Sequence, residues 1–215
     1  MAKLCSLLIG YAFGIIQAAY LIGRMNGIDI REYGSGNAGT TNAVRVLGKK
    51  AGAVVLLIDA LKCLLALLLV TALFSKQYPD KIYLLKVYAL AGCILGHDYP
   101  FYMKFRGGKG VAVMLGFVIA FAPGLFPFAV ACFLLPFFLT HYVSLSSLIV
   151  YAAIPLWMIV QGARGKFAPA TGAINAEMYI LMILLSVMAY TRHKENIKRL
   201  LNGTENKTYL TKRRE

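Results

Sequence analysis

Acidic side chains are scarce in this chain. Nine Asp and Glu stand against 23 Lys and Arg, a formal net charge of +14 over 215 residues. Histidine occurs three times and cysteine four times. Cys5, Cys63, Cys93 and Cys132 all fall in apolar runs with no Cys-x-x-Cys and no metal-ligand spacing, so they read as small core residues and no metal site is expected. No polar stretch is long enough for an ordinary soluble domain, and no short segments alternate as β-barrel strands do. What is present is apolar: 59 % of residues are hydrophobic, in runs separated by charged islands. That is the pattern of an all-α, polytopic helical membrane protein of one domain, residues 1–215. The positive charge raises nucleic acid as a partner, but the basic residues sit beside apolar spans. Loops retained on the cytoplasmic side explain them better, and no nucleic acid is expected.

Lys3 precedes an apolar run from Leu4 to Ile22, long enough for a span rather than a signal peptide, so an uncleaved first helix is expected. A basic loop follows, 23–50. The second span is 51–74 and carries Asp59 and Lys62, three apart and therefore on one helix face. Charges within a span are usually paired. This pair either braces the site's end of the bundle or only satisfies itself. The third span is 82–96. From Val111 to Thr140 there is no formal charge. Thirty residues would make about 45 Å of helix, too long for one crossing. Pro123-Gly124 splits it into spans of 111–122 and 125–140. Spans six and seven are about 148–160 and 176–191. Seven spans put the termini on opposite sides. Sixteen Lys and Arg then lie in the loops after spans one, three, five and seven, against six on the other side. The excess predicts an outside N-terminus, a cytoplasmic C-terminus, and three polar islands together on the cytoplasmic face. Several runs are shorter than a full crossing, which leaves a thin or partly re-entrant bundle open.

The first island is Gly34-Ser35-Gly36-Asn37-Ala38-Gly39-Thr40-Thr41-Asn42-Ala43-Val44-Arg45. Glycines let backbone amides approach an anion, the hydroxyl and amide side chains add neutral donors, and Arg45 adds a fork that fits phosphate. A phosphate cradle and an ordinary polar loop both fit this stretch taken alone. The second island runs from His97-Asp98-Tyr99-Pro100 to Arg106-Gly107-Gly108-Lys109-Gly110 and opens into span four. A helix N-terminus binds anions, and Lys109 would add a charge. The spacing is not that of a Walker loop. The third island begins at His193 and runs through Asn196, Arg199, Gly203 and Glu205. His193 and Asn196 share a helix face. Alone, this segment reads as an amphipathic basic tail on anionic lipid.

Together the islands resemble the PlsY family, the bacterial acyl-phosphate:glycerol-3-phosphate acyltransferases. The matching residues are Ser35-Gly36-Asn37-Ala38-Gly39-Thr40-Thr41-Asn42 with Arg45. They continue with Gly96-His97-Asp98-Tyr99-Pro100 to Phe105-Arg106-Gly107-Gly108-Lys109-Gly110-Val111-Ala112-Val113. They end with His193, Asn196-Ile197-Lys198-Arg199-Leu200, Gly203 and Glu205. Order, spacing and span context match across nearly the whole chain. Departures include Thr40 for Ala, Arg106 for Lys, Val113 for Thr, Lys194 for Arg, Cys63 for Gly, and His141 where a similar turn carries Arg. The last replaces a fixed charge with a group largely neutral at pH 7.

The resemblance implies acyl transfer from acyl phosphate to the 1-hydroxyl of glycerol 3-phosphate, giving lysophosphatidic acid and phosphate without a cofactor. This would be the first step of phospholipid synthesis, at the cytoplasmic face of a bacterial inner membrane. It implies that Ser35, Lys109, His193 and Asn196 carry the chemistry. Gly36, Asn37, Gly39, Thr41, Asn42, Arg45, His97, Arg106, Gly107, Gly108 and Ser147 would bind substrate or phosphate. His193, His97 and a substrate phosphate all remain candidates for the base. No His-x-x-x-x-Asp occurs, which excludes the acyltransferases that use that dyad. A transporter of anionic phospho-compounds is the main rival, although no internal repeat relates the halves. A structural membrane protein with lipid-binding loops is the other.

Overall fold

A computed structural model describes residues 1–209; Lys212, Arg213 and Arg214, counted above in the basic tail, lie outside the described residues. Among the described residues every regular element is helical. Helices α1 (Ala2–Gly14) and α2 (Ala18–Met25) make up the first apolar segment. Helix α3 (Thr40–Leu47) precedes the long α4 (Lys49–Phe74), and α5 spans Ile82–Asp98. Then come α6 (Val111–Phe121), α7 (Leu125–Thr140), α8 (Val143–Ala163), α9 (Gly172–Arg192) and α10 (Lys194–Leu201).

All seven expected apolar segments are helical, but among the described residues only four stretches are long and apolar enough to cross a membrane: Ala2–Met25, α4, α8 and α9. The 11 residues of α6 reach only about 16 Å, and the 16 of α7 about 24 Å. The split between them falls where expected, with Ala122 in an extended conformation ahead of Pro123-Gly124. Leu57, Leu65, Leu68 and Leu73 on α4 are among many large apolar side chains that stay exposed, as suits a surface whose solvent is lipid.

Three expectations need correction. The first span is not one helix. It breaks at Gln17, whose buried amide donates to the carbonyls of Gly14 (3.3 Å), Gly96 (3.2 Å) and His97 (2.9 Å). The 23–50 segment is not all loop, because α3 folds back on α4 with Val44 against Gly52. The sixth span, expected from about 148, starts earlier: α8 begins at Val143, so only His141 and Tyr142 separate it from α7.

The tightest helix pair is α1 with α5. Gly10 and Gly14 face Gly92 and Gly96, and a Cβ at Gly10 would stand 2.0 Å from the carbonyl oxygen of Ala89, one at Gly92 1.9 Å from that of Leu7. Opposed small-residue stripes allow such close backbone approach in a membrane, where dispersion and packing replace the hydrophobic drive. This clasp seats the end of α5 against the Gln17 break. Around it, Leu67, Leu90, Phe117, Phe121, Tyr151, Ile154 and Met182 form the main core. At one end of the bundle Lys3 pairs with Glu177 at 2.6 Å, joining the starts of α1 and α9. The start of α4, end of α5, start of α6 and end of α9 lie at the other end, with the three islands.

Candidate active site

The first island is a turn-rich lead-in to α3. Gly34 and Gly36 have φ of 61° and 70°, a region in which side chains are strained. Asn42 ties the loop: its Nδ2 donates to the carbonyls of Ile30 (3.1 Å) and Tyr33 (3.0 Å), and its Oδ1 accepts from the Ser35 amide at 2.8 Å. Asn42 is buried and both ends of its amide are engaged, so it shapes the loop from behind rather than reaching a ligand. This corrects its expected binding role. Gly39 caps α3, with Thr40, Thr41 and Asn42 in the first turn, where helix amides are open to an anion. Ser35 and Arg45 are exposed, while Asn37 and Thr41 are partly buried. Arg31 is fixed by Asp29 at 2.6 Å, which holds that carboxyl down at about 2, and donates to Met103 O at 3.0 Å. Ala38 and Ala43 also pack with Met103. The first and second islands are thereby joined.

The second island folds onto the end of α5. The amides of Gly107 and Gly108 donate to the carbonyls of Asp98 (3.1 Å) and His97 (3.0 Å). A Cβ at Gly108 would stand 2.1 Å from His97 Nε2, and one at Gly107 2.0 Å from His97 O. The glycines are there for close packing, and their amides are not offered to phosphate as expected. His97 is only 2 % exposed, and its Nδ1 accepts from Lys62 Nζ at 2.9 Å. It is the floor of the loop and is corrected from binder or base to support. Lys62 also bonds Asp59 (2.7 Å) and the carbonyl of Ile16 (2.7 Å). The charged pair of the second span therefore braces this floor instead of merely satisfying itself. Arg106 is exposed on a neighbouring polar hollow of about 260 Å³ that it shares with Asp29, Arg31 and Lys104. The loop closes with Gly110 capping α6.

The third island meets the second at Lys109. Lys109 Nζ donates to Asn196 Oδ1, and Asn196 Nδ2 donates to Glu205 Oε1 at 2.8 Å. Glu205 also accepts from Arg199 Nε at 2.7 Å and Ser144 Oγ at 3.1 Å. Burial, helped by Arg199 and Arg192, pulls Lys109 down to about 8. His193 joins α9 to α10 and is 3 % exposed. Its Nδ1 lies 2.8 Å from Ala189 O, so it carries the proton and Nε2 is left as an acceptor. Burial takes His193 down to about 4. Ser147, expected to orient substrate, donates instead to Val143 O of its own helix at 2.7 Å. Ser144, one turn earlier, is the serine that joins the network. Ser144, Arg192 and the placement of Glu205 carried no local signal beyond the motif that contains Glu205.

The match to known proteins is extensive. The family model described as Glycerol-3-phosphate acyltransferase covers residues 4–203. The chain belongs to the glycerol-3-phosphate acyltransferase family. Within that family it is 41 % identical over 210 residues to glycerol-3-phosphate acyltransferase 2 of Thermotoga maritima, covering 96 % of each chain. It is 38 % identical over 208 residues to the glycerol-3-phosphate acyltransferase of Bacillus cytotoxicus, again covering 96 % of each. The crystal structure of PlsY (YgiH), an integral membrane glycerol 3-phosphate acyltransferase, superposes in its glycerol 3-phosphate form with a TM-score of 0.82. Identity there is 31 %, covering 97 % of this chain and 96 % of that one. The lysophosphatidic acid form of the same protein gives 0.80. The all-helical, membrane-embedded architecture of the family is therefore the architecture of this chain.

Proposed function

We propose that the protein acylates the 1-hydroxyl of glycerol 3-phosphate from acyl phosphate, releasing lysophosphatidic acid and inorganic phosphate, as an early step of phospholipid synthesis. The carrying observation is the closure of the third island on the second, which sets Lys109 against Asn196, one helical turn from His193. Lys109 and Arg45 hold phosphate groups, with the first turn of α3 and Ser35 beside Arg45. Asn196 leaves Lys109 when phosphate enters and turns its amide to the substrate. His193 Nε2 accepts a hydrogen bond from the glycerol hydroxyl and orients it. A group near 4 is too weak a base to keep the proton at neutral pH. The hydroxyl oxygen attacks the acyl carbon, the new ester C–O bond forms, and the anhydride C–O bond to phosphate breaks. The departing phosphate takes the hydroxyl proton. Positioning and charge stabilisation supply most of the rate.

The acyl chain would lie in an apolar groove. A groove of about 610 Å³ runs between α8 and α9, lined by Tyr151, Pro155, Leu156, Ile183, Val187 and Tyr190. Tyr190 and Thr191 close its end beside His193, and the Tyr151 hydroxyl lies 3.5 Å from Lys109 O. By the charge bias this end, and the C-terminus, would face the cytoplasm from a bacterial inner membrane. Purified protein in detergent, given glycerol 3-phosphate and palmitoyl phosphate, should form lysophosphatidic acid and phosphate in equal amounts. Equal turnover from palmitoyl-CoA would remove the donor assignment. No turnover from any acyl donor would favour a transporter.

A further inference from the structure

Two side chains that the proposed reaction leaves without a task meet behind the second island. Asp98, the last residue of α5, is fully buried, and neither carboxylate oxygen has a hydrogen-bond donor among the described residues. Arg192, the last residue of α9, places its Nε 3.9 Å from Asp98 Oδ2, and that Nε is buried without an acceptor. At this distance the pair makes no hydrogen bond, and burial pushes the Asp98 carboxyl up to about 8, so it neither fixes the guanidinium nor supplies its counter-charge at neutral pH. Direction comes from elsewhere. Arg192 Nη2 donates to the carbonyls of Gly107 (3.2 Å) and Gly108 (2.7 Å), and the guanidinium lies over the Tyr99 ring at 5.1 Å.

The Gly108 carbonyl shares a rigid peptide plane with the nitrogen and Cα of Lys109. Holding that oxygen therefore holds the root of the Lys109 side chain. At the other end of the clasp, the residue after Arg192 is His193. The two groups that must meet phosphate and hydroxyl thus stand one residue either side of a single guanidinium contact. Nothing else described ties the Gly107-Gly108 carbonyls to α9.

We propose that Arg192 is a positioning residue that sets the separation of Lys109 and His193 by fastening the Gly108–Lys109 peptide to the end of α9. It touches no substrate, and its role rests on the acyl-transfer reading above. Lysine cannot replace it. An ammonium on a flexible stem lacks the plane that lies on Tyr99 while one nitrogen spans two carbonyls. Displacement by about 1 Å is enough to cost on the order of a hundredfold in rate.

The test is a double-mutant cycle on the full-length protein in detergent, with palmitoyl phosphate and glycerol 3-phosphate. Arg192→Lys should lower kcat at least about tenfold, with KM for glycerol 3-phosphate changed by less than about threefold and the melting temperature nearly kept. In a Lys109→Arg background, whose alignment is already lost, the same change should cost less than about threefold. In an Arg45→Lys background it should cost its full factor. Full multiplication in the Lys109→Arg background, or wild-type kcat in Arg192→Lys, overturns the proposal. If Arg192→Lys fails to fold, Tyr99→Leu, which removes the ring under the guanidinium, takes its place and must show the same non-additivity, or the clasp is refuted. A wild type that does not turn over removes the acyl-transfer reading and the clasp's purpose with it. A wild type that turns over beside an unaffected Arg192→Lys removes the clasp alone.

Discussion

Replacing Arg45 by Ala takes away an exposed guanidinium for which the described structure shows no hydrogen bond or ion pair. Nothing in the fold depends on it. The buried tie of this island is Asn42, and the link to the second island runs through Arg31 and Met103. The substitution therefore tests ligand contact cleanly. A charge-assisted hydrogen-bonded contact contributes roughly 1.5–3 kcal/mol. On the rate scale that is about tenfold to a hundredfold or slightly more. Arg45→Ala should lose that factor in kcat/KM, measured at subsaturating glycerol 3-phosphate and again at subsaturating acyl phosphate, and the more affected substrate identifies the phosphate held. Its melting temperature in detergent should stay within about 2 °C, since an exposed substitution away from special features changes stability by only about 0.5 kcal/mol. Arg45→Lys should recover part of the loss, because an ammonium keeps the charge but not the two parallel contacts. If both variants keep near wild-type kcat/KM, the phosphate-cradle account of the first island is wrong.

Three further outcomes follow from the same geometry. Lys109 acts as a cation, so its contribution is present below its ionisation near 8 and lost as pH rises through that value; kcat/KM should show a basic limb there, and Lys109→Arg should move that limb out of the accessible range whatever its effect on the maximum. Lys62→Met strands the buried Asp59 carboxylate and should cost about 3–5 kcal/mol of stability, read as a lower melting temperature, whereas adding Asp59→Asn should recover a large part; a Lys62→Met protein as stable as wild type would refute the brace. A reporter fused after Lys207 should read cytoplasmic and one fused before Met1 should not; the reverse pattern would overturn the orientation drawn from charge.

The sequence by itself determined where the chain is apolar and helical and which polar stretches share an end of the bundle. Hydropathy and charge are properties of a segment in its solvent, so α4, α8 and α9 and the break at Ala122 were legible locally. The first two islands suggested phosphate binding by residue type and the third a basic tail; only the three together resembled the acyltransferase family. The i, i+3 spacing put Asp59 and Lys62 on one face, and the structure closes them at 2.7 Å. The opposed glycines at 10, 14, 92 and 96 emerged only from the structure, since nothing local says that they face each other.

Only the tertiary structure decided which polar groups of each island turn inward to hold the protein. Composition treats Asn42, His97, Gly108, Ser147 and Ser144 alike as polar or flexible residues of a motif. Packing separates them. Asn42 and His97 turn inward as tie and floor, Gly108 rests on an imidazole, Ser147 bonds its own helix, and Ser144 reaches a glutamate 61 positions away. The physical reason is that a hydrogen bond is settled by the partner's position within a few tenths of an ångström. For Lys62 on His97 and Lys109 on Asn196 the partners lie 35 and 87 residues apart. No window of sequence contains both ends of such a bond, so its existence waits on the bundle that brings them together.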